Sequence, residues 1–370
     1  MDQPNLPVAR SVVCYATFVG LAVLATYYMR LSPPSNAAGG FFALITEPKP
    51  FVFPETDIVL RRTYTGLGPV DMFLSFLVAA FLPGAAGIDR AFQLQQIHFL
   101  FSFLPVITVW SVEAARKGSG WKMISFTSFW AIFYQTVGGA IIIPLWYLCF
   151  TLTTSTTVYG NDSHSIPPTT ARGLLPALLV GYVVPTTLMY LPFLDIDTQQ
   201  FMVALWQPSP FFVNILWISY TRLAGAADDS QVGQGSRGNG EKTVKTLYVS
   251  SAVISAVVHV GVIGICLTSN DPQQSLWDVF MLENRESWSM SQALLFIFQI
   301  DFWIIFAASI ACACIVVWDL HSLGLTTLGM VQAFAVIAFV SVVLGPGAAL
   351  SGVWYWREGM LGKKAKKKST

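Results

Sequence analysis

Apolar residues along this chain come in long blocks, without the strict alternation of a half-buried strand. Nine blocks can be marked, at about 11–29, 70–84, 94–115, 122–152, 172–193, 199–222, 245–268, 289–318 and 328–355. Most reach the roughly 20 residues that a helix needs to cross the hydrocarbon of a bilayer. The pattern predicts an all-α fold, a polytopic transmembrane helical bundle of about 8–9 spans. The block at 70–84 is short, so it is either a tilted crossing or a re-entrant piece. Pro83, Pro105, Pro144, Pro185, Pro208, Pro210 and Pro346 fall inside the blocks. Each removes a backbone donor and bends its helix, a feature of bundles that enclose cavities.

Between the blocks, residues 30–69 form a long Pro-containing connection and 224–243 read as a flexible, solvated loop. No repeat of fixed period is visible, and residues 1–370 are taken as a single transmembrane domain. The first 30 residues lack a basic region followed by a small-residue cleavage site, so 11–29 is expected to be a retained span. The basic tail 357–370 carries Arg357, Lys363, Lys364, Lys366, Lys367 and Lys368 and is expected in the cytosol, as are Arg116, Lys117 and Lys122. Asn161-Asp162-Ser163 is a glycosylation sequon, luminal if used. Nine spans with a luminal N-terminus satisfy all three signals. Lys367 and Lys368 stand fourth and third from the end, like the dilysine signal that returns membrane proteins to the endoplasmic reticulum. The alternative is a polybasic segment drawn to anionic lipid.

Composition agrees with the pattern: 54% of residues are hydrophobic and 11% charged, against roughly 25% charged in soluble domains. Lys and Arg build no nucleic-acid-binding face. Cys14, Cys149, Cys266, Cys312 and Cys314 read as small apolar residues rather than metal ligands or a disulfide framework.

The polar exceptions inside the blocks carry the chemistry. Asp301 sits in FIFQIDFWIIF, far from either end of its block. A carboxyl group at that depth costs about 2.5–3.5 kcal/mol on insertion scales and marks a functional site. Burial disfavours its charged form, which leaves a protonated acid able to donate. Helical rise places Asp301 roughly 18 Å, His259 roughly 14 Å, Gln207 roughly 12 Å and Gln135 roughly 20 Å from the cytosolic ends of their spans. If all four face inward they form one polar chamber in the cytosolic half of the bundle. Trp110, Tyr134, Trp206, Phe298 and Trp303 share that neighbourhood, and their ring faces can stabilise a cation. Gln135 and Gln207 read equally as hydrogen bonds that join helices, and His259 as a structural histidine. Glu113 is either an interfacial residue paired with Lys117 or, one turn from Trp110, part of the chamber mouth. Asp71 is either a first-turn helix acid or a binding residue. Gln299 flanks Asp301 on another face. Asp195 and Asp197 lie in a short wet connection, and Asp319 and His321 sit at the opposite membrane face.

The four scattered histidines, His98, His164, His259 and His321, cannot supply the clustered ligands of membrane di-iron enzymes. No paired aspartate-rich motif occurs within the spans, and there is no GxxxxGK[ST] loop or GxSxG turn. A reaction without metal or cofactor, started by a side-chain acid, is the expectation.

Several strings resemble a known family: YTGLGPVDMFLSFLVAAFLP at 64–83, WSVEAARKGSGWKMISFTSFWAIFYQT at 110–136, VVPTTLMYLP at 183–192, ALWQPSP at 204–210 and FIFQIDFW at 296–303. From about residue 60 to 320 the chain resembles the fungal integral-membrane terpene cyclases of meroterpenoid pathways, in particular the longer ascofuranone and ascochlorin type. The resemblance implies a lipophilic substrate with a farnesyl-type chain on an aromatic head, ending in an epoxide. Protonation opens the epoxide toward a tertiary cation, which an alkene or hydroxyl captures to close a carbocycle or cyclic ether. On this reading Asp301 is the first choice of general acid and Glu113 the second. Trp110, Tyr134, Gln135, Trp206, Gln207, His259, Gln299 and Asp71 are the candidate substrate contacts. The rival classes are a transporter of hydrophobic metabolites and a heptahelical receptor.

Overall fold

Proline and glycine decide where the apolar blocks stay whole and where they break. The computed structural model describes residues 8–54, 56–154, 165–228 and 236–369, excluding the side chains of 226–228, 236–239 and 363–369. The sequon at 161–163, His164 and the side chains of Lys363, Lys364, Lys366, Lys367 and Lys368 lie outside that set.

Fifteen helices are described: α1 (Val8–Arg30), α2 (Pro33–Ile45), α3 (Gly68–Ala85), α4 (Arg90–Ala115), α5 (Thr127–Thr136), α6 (Gly139–Thr153), α7 (Pro168–Leu178), α8 (Val184–Leu188), α9 (Ile196–Trp206), α10 (Ser209–Asp228), α11 (Ser236–Thr268), α12 (Leu276–Phe280), α13 (Met290–Ser322), α14 (Met330–Leu344) and α15 (Pro346–Ser369). The one β feature among the described residues is an antiparallel bridge between Val52 and Val59. The protein is an all-α membrane protein. Six helical stretches are long and apolar enough to cross a membrane, and α9 with α10, bent by 57°, make a seventh if taken as one span. The shorter apolar helices α6 and α14 account for the other two blocks.

Three expectations need correction. The block 122–152, read as one span, breaks at Gly138, whose φ of +117° suits glycine and few other residues. The block 328–355 likewise breaks at Gly345, with φ of +92°, directly before Pro346. Of the loop expected over 224–243, the part to Asp228 belongs to α10 and the part from Ser236 to α11; residues 229–235 lie outside the described set. The Pro-containing connection 30–69 also contains a helix, α2, which opens with Pro33 and Pro34, where a missing donor is harmless.

Central α4 packs against α3, α11, α13 and α15, and α13 packs against α1, α6 and α14 as well. An aromatic ladder crosses this core. It runs from Trp206 through Phe81 (5.1 Å between centroids), Phe298 (4.9 Å), Phe99 (6.2 Å), Phe103 (6.0 Å), Tyr134 (5.5 Å) and Trp110 (6.0 Å) to Trp146 (4.7 Å).

Candidate functional site: an apolar cavity with a histidine pair

The break between α14 and α15 builds the most distinctive polar contact in the bundle. In an unbroken helix the Val342 carbonyl would accept the N–H of residue 346, but Pro346 has none. The imidazole of His259, on α11, takes that place, with Nε2 3.1 Å from the Val342 carbonyl oxygen. A carbonyl can only accept, so Nε2 carries the hydrogen and the Nδ1 of neutral His259 is an acceptor. That Nδ1 lies 2.8 Å from Nε2 of His98 on α4, which must therefore donate. The two rings form a directed chain, His98 to His259 to Val342, with each neutral ring protonated on Nε2. The Nδ1 of His98 is buried and has no hydrogen-bond partner among the described residues. Gly345 makes room for this arrangement: a Cβ there would lie 2.9 Å from Cβ and Cγ of His259.

His98 and His259 border a cavity of about 840 Å³, within the roughly 300–1,000 Å³ of small-molecule sites. Its walls come from α1, α4, α11, α12, α13, α14 and the start of α15. They are almost wholly apolar, with Phe280, Phe302, Trp303, Phe306 and Phe334 supplying ring surfaces. The rings of Phe280 and Phe302 also meet His98 edge-on, with centroids 4.9 and 5.1 Å away. On the α14 side Val331 is 82% and Phe334 56% exposed, so the cavity opens sideways through an apolar rim.

The residues selected from sequence fall into separate places. Asp301 is half-buried on α13, on the opposite face from the cavity-lining Trp303, Ile310 and Cys314. Its Oδ1 accepts the Ala140 N–H at 2.6 Å, and Arg30 donates to the Val137 carbonyl across the same break. An anion at the start of α6 and a cation at the end of α5 each complement a helix dipole. Gln135 and Gln207 do meet: the Gln135 amide donates to the Gln207 carbonyl at 2.9 Å, a carbonyl left free where α9 bends into α10. Gln299 donates to the carbonyls of Asp278 and Val279 at 3.0 and 3.1 Å and so holds α12. Asp71 accepts from the N–H groups of Tyr64, Thr65 and Gly66 and from the Thr65 hydroxyl, which ties down the turn before α3. Trp110 and Tyr134 belong to the aromatic ladder, and Trp206 also donates to the Thr186 hydroxyl at 2.9 Å. Of the expected aromatics, Trp303 lines the cavity. Asp195 caps α9, and hydrogen bonds from the side chain and backbone of Thr198 hold its carboxyl below the usual range.

Glu113 pairs with Arg116 and not with Lys117. Its Oε2 takes Arg116 Nε at 2.9 Å, while its Oε1 takes Arg357 at 2.7 Å and the Trp354 indole at 3.1 Å. Arg116 also donates to Glu358, which completes a buried group of two carboxylates and two guanidiniums where α4 and α15 meet. Arg10 and Asp319 form a second buried pair, with both bonds at 2.6 Å, and Arg10 donates to the Thr151 carbonyl at the end of α6.

His98 is the residue that sequence reasoning passed over. Its signal lay in the pairing of two helix faces: Gln95, His98 and Ser102 on α4, and Ser251, Ser255 and His259 on α11, each spaced by three or four residues.

A family model described as the CtvD domain matches residues 16–362. The terpene cyclase ascI of Acremonium egyptiacum is 28% identical over 225 residues, 60% of this chain and 58% of that protein. The terpene cyclase rstn5 of Aspergillus nomiae is 26% identical over 332 residues, 84% of this chain and 88% of that protein. The FAD-dependent monooxygenase verC1 of Penicillium polonicum is 24% identical over 315 residues, 84% of this chain and 38% of that protein. The matched part is thus a little over half of ascI and well under half of verC1. No solved structure matches.

Proposed function

Because the chain belongs to the CtvD domain family, we propose that it is a membrane terpene cyclase. Its substrate is a prenylated aromatic epoxide, held with the chain in the 840 Å³ cavity between α11, α13 and α14. The observation that carries the reading is the combination of that apolar, ring-lined cavity, open sideways toward lipid, with an ionisable pair at its edge. Relatives named terpene cyclases support the reaction class, and the match to a protein named as a monooxygenase supports an oxidised prenyl chain as substrate.

A proton is delivered to the epoxide oxygen, and its bond to the tertiary carbon breaks. The aromatic walls favour the cation that develops, and an internal hydroxyl or alkene closes the ring. The proton released on closure returns to the protein, so the product is an isomer of the substrate. His259 is the donor that borders the cavity, through an Nε2–H that leaves the Val342 carbonyl for the epoxide oxygen. Asp301 and Glu113 are the rival donors, the first engaged at the start of α6 and the second bonded by two arginines. A fold-neutral removal of the true donor lowers turnover by about 10²–10⁴-fold, the usual contribution of general acid catalysis.

Microsomes carrying the chain, incubated with a farnesylated phenol bearing a terminal epoxide, test the proposal. Formation of a cyclic isomer of unchanged mass supports it. Uptake of unaltered epoxide into the lumen points to a transporter and removes it. The same membranes, with the dilysine at Lys367 and Lys368 replaced by serines, test residence in the endoplasmic reticulum.

A further inference from the structure

Three buried side-chain atoms without hydrogen-bond partners among the described residues fall along a single seam with His98 Nδ1. They are Ser102 Oγ on α4, and Ser255 Oγ and Tyr248 OH on α11. Each of these residues is at most 1% exposed. His98 and Ser102 are one turn apart on α4, as are His259 and Ser255 on α11. The two helices meet α15 at Gly347, where a Cβ would lie 2.5 Å from the Ser102 carbonyl oxygen and 2.6 Å from Ser255 Oγ. One turn further along, Ser251 and Ser351 share a hydrogen bond of 2.9 Å. Next comes Tyr248, one turn before Ser251 on α11, and two turns beyond Ser351 on α15 stands Glu358 of the charged group. Polar side chains of α4, α11 and α15 thus recur over the roughly 22 Å that separates His98 from Glu113 along α4.

Buried polar atoms in native proteins are paired, by protein or by ordered water, in the great majority of cases. Orphans scattered singly need no common cause. Four on one three-helix seam, bracketed by an imidazole pair and a charged group, need one.

We propose that this seam is a water-holding proton relay joining the charged group at the α4–α15 end of the bundle to the histidine pair at the cavity. Ordered water bridges His98 Nδ1, Ser102, Ser255 and Tyr248, each such water needing two to four polar partners. The purpose assigned to it rests on the cyclase reading. When His259 Nε2–H passes its proton to the epoxide oxygen, His259 Nδ1 takes the Nε2 proton of His98, and His98 Nδ1 takes one from the water beside it, which the seam leaves as hydroxide on the side of the Arg116 and Arg357 guanidiniums until the ring closes. Ring closure returns a proton to His259 Nε2, and the same shifts run backward. Each ring regains its starting tautomer without turning over, and no proton is consumed. His259 is the catalytic residue in this scheme, whereas His98, Ser102 and Ser255 act through it.

The experiment uses the full chain in lipid nanodiscs with ¹⁵N-labelled histidine. Four histidines keep the spectrum assignable, with His98→Asn identifying its signals. Magnetisation transfer from water to His98 Nδ1 is expected in the wild type. It should fall at least about tenfold in the Ser102→Ala/Ser255→Ala double variant, and turnover should fall with it, while substrate still quenches the emission of Trp303. A His98 ring that receives no transfer from water in the wild type overturns the relay, and that measurement needs no variant to fold. Transfer or turnover unchanged in the double variant also overturns it. Transfer as expected in a chain that cyclises no epoxide defeats the cyclase reading and leaves the water-holding seam standing.

Discussion

Asp301 and His259 are both polar groups set deep in apolar helices, and their surroundings assign them different work. The Asp301 carboxylate accepts the Ala140 N–H, so the group needed there is an acceptor more than an acid. Asp301→Asn keeps that oxygen. With His259 as donor the variant should retain turnover within about threefold, while Asp301→Ala, which strands a buried N–H, should lower stability by about 1–3 kcal/mol. Denaturant melts of both variants beside product assays check this. A folded Asp301→Asn variant without activity would instead make Asp301 the initiating acid. His259→Asn can still bond the Val342 carbonyl but cannot pass a proton from ring to ring, so turnover should drop by about 10²–10⁴-fold with the fold intact. Gly345→Ala attacks the same contact from the other side, because its Cβ would meet His259 at 2.9 Å and the backbone is held at positive φ. Loss of turnover and lower thermal stability are expected together in that variant.

At the scale of elements, the short helix α6 is held at both ends by charges from its neighbours. Asp301 of α13 closes its start, and Arg10 of α1, fixed by Asp319, closes its end. Asp319→Ala leaves the Arg10 guanidinium buried without its carboxylate, a change that costs about 3–5 kcal/mol in buried pairs. Melting of the detergent-solubilised variant should show it, with activity per folded molecule preserved. These contacts also explain how much could be read from the sequence. Each of the nine apolar blocks contains a helix, because hydropathy over 20 residues is a local property. The breaks at Gly138 and Gly345 were not foreseen, since mid-block prolines predict a bend but not the positive φ that turns it into a separation. Position within a block marks Asp301 and His259 as polar groups far from the ends of their helices, but not which neighbour each faces, because a rotation of 100° per residue decides that and no single helix reveals its own facing. His98 escaped notice because its partner is 161 residues away in sequence.

The whole molecule places its cavity at the edge of the bundle, behind the exposed helix α14, and not at the centre, which the aromatic ladder fills. A substrate dissolved in the bilayer could then enter between α13 and α14 without meeting water, and the dry walls would protect a cation from hydration. The same layout makes the cavity a ruler for chain length. Ala307 and Ala311 line its α13 wall one turn apart, so a ring added at either projects into the space that the chain would occupy. Ala311→Phe should therefore discriminate against the fifteen-carbon chain and tolerate a ten-carbon one. Pockets separate substrates that differ by a single methylene by about 10–200-fold, so a change of at least about tenfold in the ratio of kcat/KM for the two lengths is expected. The measurement is competition between farnesylated and geranylated phenol epoxides, read as the ratio of cyclised products. An unchanged ratio would mean that the chain is held elsewhere, and attention would move to the half-buried face of Asp301 between α6 and α13, where the other candidate acid lies.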